Sequence, residues 1–188
     1  MLWLTVVAWL ARVILLILMA LSIWSVAIII ERRRFFKLLK MPGLEVKNSL
    51  RSRRMFEGEK HFYSDFLAQL SQHKTSEQTE KFFDAYAADL RKDLEKGLPV
   101  LGTLGSTTPF VGLLGTILGI IVSFGELSQG TGSTNSVMFS LAEALILTAV
   151  GLIVAIPAVV AFNFFNRKAR AVLLEGEILK DLYLAYKE

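Results

Sequence analysis

The sequence predicts an all-α membrane protein with three transmembrane helices, and three observations carry that prediction. The 188 residues are 53% hydrophobic with a mean hydropathy of +0.49, more apolar than a soluble domain of this size. The apolar residues gather in three long runs. Charge is kept out of them, with only Arg12, Glu126 and Glu143 standing within or beside the runs.

The placement of positive charge predicts the orientation. Of the 21 Lys and Arg residues, 15 lie in residues 31–97, five in 167–188, and Arg12 is the remaining one. The short connector Glu126–Ser136 carries none. Positive residues mark the cytoplasmic side, so the chain is expected to run N-out, C-in, with the connector on the far side. Arg32, Arg33 and Arg34 directly follow the first run. They are expected to anchor its helix and meet anionic lipid, as are Arg167, Lys168 and Arg170 after the third. That position argues against a nucleic-acid surface.

The first helix is expected over residues 1–30. Val13–Ile30 alone supplies 18 apolar or small residues, close to a bilayer's thickness of helix. The run lacks a positively charged start and a small-residue cleavage site, so it reads as a retained span rather than a signal peptide. Trp3 and Trp9 suit an interfacial N-terminus.

Residues 31–97 read as a cytoplasmic helical domain. Pro42 and Gly43 end any helix continuing from the first span. Phe62, Phe66, Leu67 and Leu70 fall at helical spacing. His61 and His73 read as surface residues. Thr75 and Gln78 are spaced as a capping box, a reciprocal pair of side-chain bonds closing a helix start. Phe82, Phe83, Tyr86, Leu90 and Leu94 then form one apolar stripe of an amphipathic helix that feeds the second span.

The second transmembrane helix is expected over 98–125, a short periplasmic loop over 126–136, the third helix over 137–166 and a cytoplasmic C-terminal helix over 167–188. Helices two and three are long enough to extend into a cytoplasmic helical bundle. Val172, Leu173, Ile178, Leu179 and Leu182 keep a helical pattern in the tail.

Spans two and three differ in kind from the first, which is bulky and suited to lipid. Gly105, Thr108, Gly112, Thr116, Gly119 and Ser123 recur at steps of three and four, with Gly115 beside them. Ala144, Thr148, Gly151, Ala155 and Ala158 do the same in span three. Such stripes let helix backbones approach closely, and hydroxyls can bond across the contact. Helix packing alone accounts for the Gly and Ala positions. Glu143 is harder to place that way, because a carboxylate in an apolar run needs water, a partner charge or a proton. It could sit at the headgroup level, make a structural interhelical bond, or serve an ion path. With Thr116 and Thr148 it suggests a narrow polar path. No Asp lies in any span, so a central proton carrier is expected from another subunit. No phosphate loop, nucleophile elbow or metal-ligand cluster is present, and an enzyme is not expected. With no cysteine in the chain, disulfides and thiolate metal sites are ruled out. No cofactor is expected.

Two motifs resemble the MotA/TolQ/ExbB proton-channel family. One is Gly105-Ser106-Thr107-Thr108-Pro109-Phe110-Val111-Gly112-Leu113-Leu114-Gly115-Thr116-Ile117-Leu118-Gly119-Ile120. The other is Ala142-Glu143-Ala144-Leu145, then Thr148-Ala149-Val150-Gly151-Leu152, then Ala155-Ile156-Pro157-Ala158-Val159. The resemblance covers roughly residues 99–170 and favours the TolQ/ExbB branch, since the stretch before span one and the loops are short. Where the family usually has Pro-Gly-Ile before Ala-Glu-Ala-Leu, this chain has Phe139, Ser140 and Leu141, a difference that bears on the depth of Glu143.

The resemblance implies a pentameric ring in the bacterial inner membrane, its pore lined by spans two and three. The pore would enclose a dimer of an ExbD- or TolR-type single-span protein carrying the missing Asp. Protons would be the transported ion, and the work would pass to a TonB- or TolA-type protein at the outer membrane. Thr116 and Thr148 would line the path, with Ser123 and Thr108 further along it and Glu143 at its upper end. Gly105, Gly112, Gly115, Gly119, Gly151, Ala155 and Pro157 would serve helix packing. The first span would lie on the lipid side.

Overall fold

In a computed structural model the chain is described at residues 2–39, 75–130 and 133–187, and those residues form four helices. They are α1 (Leu2–Leu38), α2 (Ser76–Glu95), α3 (Leu98–Ser128) and α4 (Thr134–Lys187). The helical pattern expected around Phe62–Leu70, the break at Pro42 and Gly43, and both histidines lie outside the described residues. Three helices, α1, α3 and α4, are long and apolar enough to cross a bilayer. The protein is therefore a multi-pass membrane protein, with helices as the only regular structure among the described residues.

The helix ends follow from local chemistry. Between Leu2 and Leu38 there is neither Gly nor Pro, and α1 runs through without interruption. Gly97 separates α2 from α3 at φ 75°, ψ −13°, the left-handed region that Gly enters without steric cost. Pro99 then sits in the first turn of α3, where its missing N–H costs nothing. The second span therefore starts afresh at Leu98 and does not extend backward into α2. At the start of α4 the Ser136 backbone N–H donates to Ser133 Oγ at 3.2 Å, the bond a Ser N-cap makes. This cap starts the helix at Thr134, three residues before the expected Val137. The third span and the tail are one 54-residue helix, because nothing in residues 160–170 breaks the backbone. The polar residues there change what surrounds the helix, not its conformation.

Helix α2 begins at Thr75 as expected, but the capping box does not form, since Thr75 makes no side-chain cap bond. Thr79 Oγ1 donates instead to the Thr75 carbonyl at 3.1 Å. The predicted stripe holds, with Phe83, Leu90 and Leu94 buried and Phe82 and Tyr86 half-buried. Thr79 joins them, fully buried.

By packing, the chain divides into two units. One is Met1–Ile30 with Gly97–Asn163, and the other is Glu31–Lys96 with Phe164–Glu188. In the first, Ile14 and Leu18 of α1 pack with Leu147 of α4, flanked by Val111 and Leu118 of α3 and Val150 of α4. The opposite side of α1 exposes the apolar side chains of Val6, Trp9, Leu16 and Ile23.

In the second unit the rings of Phe36 and Phe165 stack at 5.5 Å, and Lys180 Nζ lies 5.1 Å from the centre of the Phe83 ring. Val172 and Leu179 are buried, whereas Ile178 of the predicted tail pattern is exposed. Arg32 departs from its expected role as a lipid anchor. It is buried, at 4% exposure, and its Nη1 donates to the Asp93 carbonyl at 2.8 Å. The last four carbonyls of a helix lack partners within it, and a cation there also meets the negative end of the helix dipole. Arg32 therefore closes the C-terminus of α2. Arg33, Arg34, Arg167, Lys168 and Arg170 are exposed, as anchors require. Arg32→Leu is expected to lower stability by about 2 kcal/mol, the scale of a charge-assisted bond. Arg33→Leu is expected to change it by less than about 0.5 kcal/mol. Thermal unfolding in detergent checks both.

Candidate functional site

Helices α3 and α4 come into backbone contact at the two small-residue stripes. A Cβ built on Gly112 would stand 2.8 Å from the Leu147 carbonyl oxygen and 3.1 Å from the Thr148 Cα. A Cβ on Gly151 would stand 2.8 Å from the Thr108 carbonyl oxygen and 3.1 Å from the Gly112 Cα. The two backbones touch there, which only glycine on both sides permits. Gly105 meets Val159, Gly115 meets Leu147 and Gly119 meets Ala144 along the same seam. Ala144, Ala155 and Ala158 are buried. Pro157, expected among the packing residues, is exposed.

This seam holds the predicted hydroxyls. Thr108 Oγ1 donates to the Leu104 carbonyl at 2.7 Å, and Ser123 Oγ to the Gly119 carbonyl at 2.9 Å. Both residues are almost fully buried, so each hydroxyl is satisfied by its own helix. Thr116 Oγ1 likewise donates to the Leu113 carbonyl at 2.7 Å, but it also accepts from Thr148 Oγ1 at 3.4 Å. The structure thus brings the hydroxyls of Thr116 and Thr148 together across the helix contact. The 3.4 Å separation is longer than the usual range for a bond between hydroxyls, so the contact is weak. Thr108 stands eight residues from Thr116, roughly 12 Å along the axis at 1.5 Å per residue, and is not part of that pair.

Glu143 is placed differently. Five residues separate it from Thr148, which at 3.6 residues per turn is a rotation of about 140° around α4. Glu143 is exposed and lines a cleft of about 160 Å³ together with Arg12 of α1 and Glu126 of α3. The three charged residues of the apolar runs therefore share one cleft. Arg12 carried no role in the sequence analysis. Its signal was there, as the single Lys or Arg outside the two basic segments, but its partners become visible only with the helices packed. The first span is consequently more than a lipid-facing wall, since Arg12, Ala8 and Leu15 border the cleft that Glu143 faces.

Known proteins share much of the sequence that forms α3 and α4. A sequence model of the MotA/TolQ/ExbB proton channel family matches residues 54–177, well over half of the chain. The chain belongs to the MotA/TolQ/ExbB proton channel family. It is similar to the biopolymer transport protein ExbB of Aquifex aeolicus, at 46% identity over 93 residues, 49% of this chain and 63% of that one. It is similar to the Tol-Pal system protein TolQ of Pseudomonas aeruginosa, at 51% over 84 residues, 44% of this chain and 36% of the other. The ExbB of Neisseria gonorrhoeae is 43% identical over 81 residues, 43% of this chain and 37% of the other. The chain thus matches less than two thirds of the length of these curated relatives. Within the MotA/TolQ/ExbB family, the seam and its hydroxyl pair fall inside the matched region.

Proposed function

We propose that this chain is the channel-forming subunit of an inner-membrane motor of the ExbB–ExbD or TolQ–TolR type. The observation that carries the reading is the Thr148–Thr116 hydroxyl pair, set in the tightest contact of two apolar helices of a proton-channel family member. A hydroxyl both donates and accepts, so two in series can pass a proton where no charged side chain is needed. Several copies, most simply five, would surround a dimer of a single-span partner bearing a membrane carboxylate. The broad apolar surfaces of α3 and α4, including Phe110, Leu113, Ile117, Ile153 and Ile156, suit neighbouring copies, partner and lipid. The energy would pass to a TonB- or TolA-type protein acting at the outer membrane. In this reading the basic ends face the cytoplasm.

Thr148→Ala and Glu143→Ala are each expected to abolish energy coupling in cells while the complex still assembles. Full activity in both variants would remove the ion path. A non-conducting scaffold that anchors the partner is the second reading. It is favoured by the back-bonded Thr108 and Ser123, whose hydroxyls need no ion to satisfy them.

A further inference from the structure

The Arg12 cleft lies apart from the Thr116–Thr148 pair, and it brings together the charges that the apolar runs otherwise avoid. Arg12 lies within α1, Glu126 near the end of α3 and Glu143 in α4, and Ser140 adds a hydroxyl to the lining. A charged side chain within a span is costly unless it meets water or an opposite charge. Arg12 and Glu143 are of that kind, and with Glu126 they line one cavity from three separate helices. A single water needs roughly 15 Å³, so the cleft of about 160 Å³ has room for a cluster of waters. Two carboxylates against one guanidinium leave a formal excess of one negative charge.

We infer that this cleft is a hydrated, cation-attracting vestibule, open at the end of the bundle where α3 gives way to α4. Arg12 acts there as a positioning residue. Its charge offsets part of the acidic charge, so the vestibule attracts small cations and hydronium without binding them tightly. The inference makes α1 a wall of the vestibule. That the vestibule admits the ions transported by the protein rests on the channel reading above, whereas its hydration and charge do not.

The absence of cysteine in the chain makes the test clean. Single Ser140→Cys and Asn135→Cys variants of the full chain, co-expressed with the single-span partner, are prepared as membrane vesicles of both orientations. They are exposed to membrane-impermeant methanethiosulfonates, one cationic and one anionic. Ser140→Cys is expected to react in the same vesicle orientation as Asn135→Cys, faster with the cationic reagent. Adding Arg12→Gln is expected to raise the ratio of cationic to anionic rate about twofold or more, because losing a nearby positive charge favours the cation and disfavours the anion even with salt screening. Glu143→Gln is expected to lower the ratio by a similar factor, and Arg12→Lys to leave it unchanged. A residue that only holds helices together would not move this ratio in opposite directions for opposite charges. If Ser140→Cys stays unreactive in both orientations while Asn135→Cys labels, the cleft is dry and the inference fails. It also fails if neither Arg12→Gln nor Glu143→Gln changes the ratio. Should Arg12→Gln not assemble, the Glu143→Gln ratio decides alone. Labelling as expected without proton conduction would overturn the channel reading and leave the vestibule standing.

Discussion

Gly151→Ala is expected to destabilise the membrane-spanning part of the protein by about 1–3 kcal/mol, the range for overpacking a close contact. The added methyl would stand 2.8 Å from the Thr108 carbonyl oxygen and 3.1 Å from the Gly112 Cα. Both are backbone atoms of the facing helix, which cannot rotate out of the way as a side chain can. Relief requires α3 and α4 to separate, and separation weakens every contact along the seam. In a bilayer there is little hydrophobic force to compensate, since lipid tails are as apolar as the helices they replace. Gly151→Leu is expected to prevent α3–α4 packing altogether. Gly102→Ala is the contrast. Its methyl would meet the Phe162 ring, 3.3 Å from Cε2, and a ring can yield, so the expected cost is below about 1 kcal/mol. Thermal stability of the three variants in one detergent checks the ordering. Equal stability of Gly151→Ala and Gly102→Ala would mean that the two backbones do not touch as described.

Thr148→Val is expected to remove proton conduction with little effect on stability. Valine keeps the shape of threonine and loses only the hydroxyl. At 3.4 Å the bond to Thr116 is long and contributes little to folding, so the stability change should stay below about 1 kcal/mol. In the proposed path conduction would depend on that hydroxyl in a different way, because one of the two oxygens that pass the proton would be gone. A drop of roughly tenfold or more in flux corresponds to only about 1.4 kcal/mol in a barrier. Thr148→Ser restores the hydroxyl in a smaller side chain and is expected to recover most of the flux. Flux lost equally in the Val and Ser variants would point to packing rather than to the hydroxyl.

These two predictions depend on features of unequal visibility in the sequence. The spans were legible because apolar runs and excluded charge need no tertiary partner to be recognised. So was the small-residue stripe, which follows from helical spacing alone, and Gly112 and Gly151 meet where that spacing places them. Helix ends were less legible. The change from apolar to polar near Asn166 suggested a boundary, yet the backbone continues to Lys187. Arg32 reads as one of three equivalent arginines in sequence. Successive helical residues point about 100° apart, so only one of three can face the Asp93 carbonyl, and which one depends on how α2 packs. The separation of Glu143 from Thr148 was contained in their five-residue spacing. What the sequence could not show is that Glu143 shares a cleft with Arg12.

Proton flux into liposomes separates a conducting channel from a scaffold. The chain and its single-span partner are reconstituted together, a pH gradient and membrane potential are imposed, and an internal pH dye is followed. Acidification is expected to be clearly faster than in empty liposomes, falling to the empty-liposome rate with Thr148→Val in a complex of unchanged composition. A correctly assembled complex whose flux matches that of empty liposomes would contradict the channel reading and leave the scaffold.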